Sequence, residues 1–290
     1  MKRHGSKNSQ RGFTLVELLV ALGIFLLITG TAFTLLSSSQ QRYQTESQVL
    51  SSFQEARLGM DQMVRDINDA GFPPQSFFDS NHPMVSARFP FGWSPGYTVP
   101  NSCVIGTAGG GTCGSPTDFD IIIETNPDPS RDPTCAPYCP AQWIHYLLGG
   151  INGTTLMRAA VDKQISHDPA IDTSPASGSL VPFVQNVVNN SPNLQIGQFQ
   201  LSAAYPTLFP GGNPVPIFQY TCDATSPPNS PPQPCPLLTP TDNCPATIRD
   251  VAITLIVAAP LPDDTTGRPR LVQLEGRGRR VNPNQGGLCP

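Results

Sequence analysis

A single carboxylate stands in a stretch of the chain that is otherwise almost free of charge. Glu17 is the only charged residue in the 24 residues Phe13–Leu36. An acidic side chain carried into a hydrocarbon layer costs on the order of 3 kcal/mol on insertion scales, so something normally pairs with it there. The chemistry it offers is neutralisation of an ammonium group. As a helix, with a rise of about 1.5 Å per residue, the run reaches roughly 36 Å, enough to cross a hydrocarbon core of about 30 Å with some tilt. Residues 1–12, MKRHGSKNSQRG, hold Lys2, Arg3, Lys7 and Arg11 and no acid, which keeps this end cytoplasmic. A cleaved signal peptide with Gly30-Thr31-Ala32 before Phe33 is the plainer reading. Glu17 argues against it, because a signal peptide has no use for a buried carboxylate.

Thiol chemistry comes next. Cys103, Cys113, Cys135, Cys139, Cys222, Cys235, Cys244 and Cys289 make an even set of eight, all far from the amino terminus, which suits disulfides formed in an oxidising compartment. Cys103 with Cys113, around Gly109-Gly110-Gly111, and Cys135 with Cys139 are the expected local pairs, and Cys222, Cys235 and Cys244 could pin a proline-rich loop. The remaining connectivity stays open. Tetrahedral zinc needs paired C-x2-C units, and Cys135-Ala-Pro-Tyr-Cys139 has neither that spacing nor a neighbouring histidine, so no metal is expected.

Asn126, Asp128, Ser130 and Asp132 alternate like the start of a calcium loop, but two prolines intervene and no glycine follows at the sixth position. A solvated turn is the reading. Asp118 and Asp120, His145 and His167 adjoin no nucleophile motif such as G-x-S-x-G, so neither a catalytic residue nor a cofactor is expected. Arg268, Arg270, Arg277, Arg279 and Arg280 form a basic cluster in a chain of net charge −4. Bulk basicity is excluded as a route to nucleic acid, which leaves a weak DNA contact through Arg277, Arg279 and Arg280 set against a solvated strand face.

The elements that must position these groups follow from composition and period. Proline (33) and glycine (25) make a fifth of the 290 residues, which favours a loop-rich body of short strands over a helical bundle. No proline occurs between Ser37 and Phe72, and Val49, Phe53, Ala56, Met60, Met63, Ile67 and Ala70 recur at spacings of four and three, one apolar face of a helix. Glu46, Glu55, Arg57, Asp61, Arg65, Asp66 and Asp69 fall on its solvated faces. Gly71-Phe72-Pro73-Pro74 ends it. Strands are expected at 119–125, 143–148, 155–160, 181–188, 194–201, 217–221, 248–258 and 271–276, the last two as a hairpin. Residues 225–241 carry too many prolines for helix or central strand.

Gly12-Phe13-Thr14-Leu15-Val16-Glu17-Leu18-Leu19-Val20-Ala21-Leu22 resembles the cleavage and methylation motif of type IV pilins and type II secretion pseudopilins. The resemblance implies that a prepilin peptidase cuts between Gly12 and Phe13, that Phe13 is then N-methylated, and that Glu17 draws in the terminal amine of a neighbouring subunit during assembly. Arg57–Phe72 further resembles the end of the long helix in the minor-pilin subgroup related to PilW and the pseudopilin PulJ. The implied fold is α+β and type IV pilin-like, a long N-terminal helix packed on an antiparallel head with disulfide-bonded loops. Its implied parts are a leader at 1–12, a transmembrane segment at 13–36, an amphipathic continuation at 37–72 and a β-rich head at 73–290. The implied partners are other major and minor pilins or pseudopilins and an inner-membrane assembly platform. The implied location is the bacterial inner membrane with the head in the periplasm, then a fibre at the cell surface. A pilus subunit, a secretion pseudopilin and a tip receptor or adhesin are the three functions this leaves.

Overall fold

A computed structural model describes residues 12–75, 81–99, 103–105, 111–223, 231–235, 244–263 and 266–280. The chain divides into two compact units, Met1–Ser47 and Gln48–Pro290. One helix, α1 (Leu15–Asn68), contributes to both.

In the first unit α1 presents its apolar side chains to the outside. Leu15, Phe25, Leu27 and Leu35 are all exposed, and this is the described helix long and apolar enough to cross a membrane. Such a surface is stable only when lipid or other helices cover it.

In the second unit the same helix behaves in the opposite way. Val49, Ala56, Met60, Met63, Ile67 and Ala70 are buried and Phe53 is half-buried, the face the apolar period marks out. The helix stops at Asn68, and Gly71 turns the chain at φ 78°, where a side chain would be strained. Gly71 N then donates to Glu124 O at 2.8 Å, tying the helix end to the first sheet.

That sheet has five antiparallel strands in order β1-β2-β3-β4-β5: β1 (Phe91–Gly92), β2 (Asp120–Thr125), β3 (Gln142–Gly149), β4 (Thr155–Asp162) and β5 (Val181–Val184). A hairpin follows, β6 (Gln195–Ile196) with β7 (Phe199–Gln200). The second sheet runs β11-β10-β8-β9, with β8 (Phe218–Cys222), β9 (Gln233–Pro234), β10 (Ile248–Pro262) and β11 (Pro269–Arg279). The architecture is α+β, a long helix and antiparallel sheets with disulfide-bonded loops.

Period-two alternation assigns each strand face. Ile121 and Ile123 of β2 and Val251, Ile253, Leu255 and Val257 of β10 join Met60, Met63 and Ile67 of α1 in one core. Ile122 turns the other way, into an aromatic cluster of Phe89, Trp93, Tyr97 and Trp143. On the other face of β10, Ile256 and Ala258 pack with Val188, Leu201 and Phe209. Each fully buried large side chain contributes about 1.5–3 kcal/mol relative to exposure. α1 approaches β11 so closely that a Cβ on Gly278 would lie 2.5 Å from Ile67 Cγ2, and one on Gly276 would lie 2.6 Å from Met60 Sδ.

Three expectations change. The segment 181–188 pairs only as far as Val184, because Asn186 takes a left-handed turn at φ 58°. The run 194–201 folds on itself through Gly197 (φ 64°) into the β6–β7 hairpin. Within 225–241, residues 233 and 234 pair as an edge strand, where proline is tolerated because its missing N–H faces away from the ladder; 225–230 and 236–241 lie outside the described residues.

Candidate processing and assembly site

The start of α1 is built by a reciprocal cap. Thr14 stands just before the helix and Glu17 is its third residue. Glu17 N donates to Thr14 Oγ1 at 3.3 Å, while Thr14 N and Thr14 Oγ1 each donate to Glu17 Oε2 at 3.1 Å. This is a capping box, which satisfies helix-start donors and favours a carboxylate at the positive end of the helix dipole. The T-x-x-E spacing is legible in the sequence, and it adds a partner within the chain to the intermolecular one expected of Glu17. Within one chain its carboxylate is held by Thr14, two residues from Gly12 and next to Phe13. Gly12 and Phe13 are exposed, and the leader 1–11 lies outside the described residues.

In the head, the helix is fastened to the first sheet by a buried polar group. Asp66, read above as solvated, is buried: its Oδ2 accepts from Tyr146 Oη at 2.6 Å and Arg158 Nη2 at 3.1 Å, and its Oδ1 from Gln62 Nε2 at 2.8 Å. Burial, and after it the negative charge of Asp66, push the Tyr146 phenol well above its usual range, so Tyr146 stays a neutral donor. No sequence signal separates Asp66 from Asp61 or Asp69, because its partners lie about eighty and ninety residues away.

Cys103–Cys113, Cys135–Cys139 and Cys222–Cys235 are disulfides. Cys244 is buried and disulfide-bonded; Cys289 lies outside the described residues.

The segment from Asn126 to Asp132 does not converge on a cation. Asn126 is buried, its amide donating to Val85 O at 2.8 Å and Cys139 O at 2.9 Å, while its Oδ1 accepts from Arg131 Nη1 at 2.9 Å. A guanidinium thus takes the first oxygen. Asp128 Oδ1 accepts from Ser130 N at 2.9 Å and Asp132 Oδ1 from Thr134 N at 2.8 Å, so these carboxylates cap their own turns.

The histidines and the arginine cluster are also spoken for. His145 is buried between Asp120 Oδ1, 2.9 Å from Nε2, and Thr173 Oγ1, 2.7 Å from Nδ1, and His167 meets Asp172 at 3.0 Å. Arg277 and Arg279 reach Asp250 at 3.1 and 3.8 Å, Arg270 pairs with Asp263, and Arg280 is buried beside Asp223 at 3.6 Å, with Nη1 donating to Ala246 O at 3.0 Å. Arg268 lies over the Phe199 ring. Four of the five arginines thus meet a carboxylate, but Arg277 and Arg279 share Asp250 and stay exposed, whereas the buried Arg280 offers no surface to a phosphate.

Comparison with known families converges on the capped helix. A family model described as "Prokaryotic N-terminal methylation motif" matches residues 7–35. The chain carries a prepilin-type methylation motif. No curated protein and no solved structure matches it. The motif supports a type IV pilin-like protein and implies processing by a prepilin peptidase, anchoring through the apolar helix and assembly with other pilins. It marks structural subunits, not enzymes.

Proposed function

We propose that this chain is a minor type IV pilin of the PilW-like subgroup, which takes part in starting or building a pilus. The observation that carries the reading is the methylation motif over 7–35, coincident with an exposed apolar helix whose first turn holds Glu17. Residues 1–12 act as the leader, 13–36 as the membrane segment, 37–72 as its amphipathic continuation and 73–290 as a head on the periplasmic side of the inner membrane, later carried to the cell surface. Prepilin peptidase cuts after Gly12, where the missing side chain lets a protease approach the backbone. The new Phe13 amine is methylated.

Glu17 then exchanges its Thr14 contacts for the terminal ammonium of an adjacent subunit. In a low-dielectric layer that pairing recovers part of the cost of carrying both charges there. An inner-membrane assembly platform and other major and minor pilins are the partners.

The test is mass spectrometry of the amino-terminal peptide recovered from native membranes. The expected species begins at an N-methylated Phe13; an end at Phe33 or an intact Met1 removes the pilin reading. Deleting the gene and scoring pili against secreted proteins then separates a pilus subunit from a PulJ-like secretion pseudopilin. Of Arg277, Arg279 and Arg280, the burial of Arg280 weighs against a DNA-binding tip receptor, and the first two already lean on Asp250.

A further inference from the structure

A second site lies in the head, far in sequence from the processing motif. Gln75, Pro83, Met84, Arg88, residues 97–98 and residues 163–166 line an open cleft of about 370 Å³. Two of its lining residues, Tyr97 and Lys163, bind a carboxylate buried behind it. Glu124, fully buried, accepts at Oε1 from Lys163 Nζ and from Arg88 N, each at 2.6 Å, and at Oε2 from the Tyr97 hydroxyl. Burial first, and then the charge of Glu124, push the Tyr97 phenol well above its ordinary value, so Tyr97 remains a hydrogen-bond donor.

Counting donors shows what the cleft lacks. Lys163 carries three N–H donors and spends two, on Glu124 and on Ser86 O at 3.3 Å. Arg88 stacks over Phe89, and its guanidinium makes one long bond, 3.4 Å to Thr98 O. Arg131, Arg158, Arg249, Arg270 and Arg277 each meet a carboxylate instead. With Glu124 saturated by its own partners, Lys163 and Arg88 leave one positive charge and unspent donors at the cleft. Pro83, Met84 and Ile165 supply apolar wall, with Ile165 69% exposed.

We propose that this cleft binds an organic carboxylate carried on an apolar frame, with the Arg88 fork and the spare Lys163 proton on the carboxylate and the frame against Met84 and Ile165. A single negative charge matches the site, and a planar carboxylate matches a guanidinium fork. The carboxylate belongs either to a small organic acid or to the chain end of a protein partner.

The test uses the full chain in detergent with carbon-13 methyl-labelled methionine. Met84 reports the cleft, while Met63 and Met157 report the rest of the head. Benzoate and benzamide represent a small acid and its neutral match; N-acetyl-leucine and its amide represent a chain end. The expected result is a saturable shift of Met84 with a carboxylate and none with its amide, weakened about tenfold or more by Arg88→Gln. Tighter binding of N-acetyl-leucine assigns a chain end; tighter binding of benzoate assigns a small acid. No Met84 shift with either acid, an equal shift with the amides, or unchanged affinity in Arg88→Gln overturns the proposal. Should that variant lose its Met63 and Met157 signals, the wild-type titration at high salt decides, since an affinity insensitive to salt also overturns it.

Discussion

Two stretches of one helix obey different solvents. From Leu15 to Leu36, α1 is apolar on all sides and exposed on all sides, whereas from Gln48 to Asn68 it buries one face and wets the others. The local backbone is the same, so propensity does not distinguish them; the environment each expects does. A helix apolar all round is stable only in lipid or among other helices, and one with a single apolar stripe is completed by its own head. The carboxylates follow the same division. Glu17 is satisfied within its own first turn, while Asp66 is fixed by Tyr146 and Arg158 from two strands of the head.

Substitutions sharpen or break this contrast. The largest effect is expected for Gly12→Leu, which should abolish cleavage and leave the leader attached in the amino-terminal peptide, while the head unfolds as before. Glu17→Ala should leave cleavage intact but sharply reduce incorporation into fibres, counted by microscopy or by shearing; fibres at wild-type density would remove its assembly role. In the head, Ile67→Ala should lower stability by about 2–5 kcal/mol, read from denaturant unfolding followed by the fluorescence of Trp93 and Trp143, both buried in the head. Gly278→Ala should cost about 1–3 kcal/mol by overpacking against Ile67. Phe25→Ala should change that transition by no more than about 0.5 kcal/mol. A Phe25→Ala loss as large as that of Ile67→Ala would erase the distinction between the two stretches.

Much of this architecture was legible without coordinates where the signal is local. The buried stripe from Val49 to Ala70, the helix stop at Gly71 and the β10–β11 hairpin all follow from periods and punctuation within about twenty residues. The T-x-x-E cap is equally local, but a carboxylate in an apolar run points first to an intermolecular partner. Asp66, expected on a wet face, is buried for a reason that lies outside the helix. Its helical position borders the apolar stripe, and only Tyr146 and Arg158, brought in from β3 and β4, make burial affordable.

The split of residues 194–201 into a hairpin and the early end of β5 turned on single residues, Gly197 and Asn186, in left-handed conformations. Sequence gives such positions a propensity but no obligation.

By itself, the sequence determined the membrane-length helix, the methylation motif and the cleavage point it implies, and an antiparallel, cysteine-bearing head. Each is written in residues close together along the chain, where period, charge and length suffice. Only the tertiary structure decided that the basic patch meets Asp250, Asp263 and Asp223, that Asn126 serves Arg131 and two backbone carbonyls, and that Lys163 and Tyr97, which line a cleft, both bind the buried Glu124. Those outcomes depend on which charge meets which across tens of residues, and a buried charge is settled by the partner that reaches it.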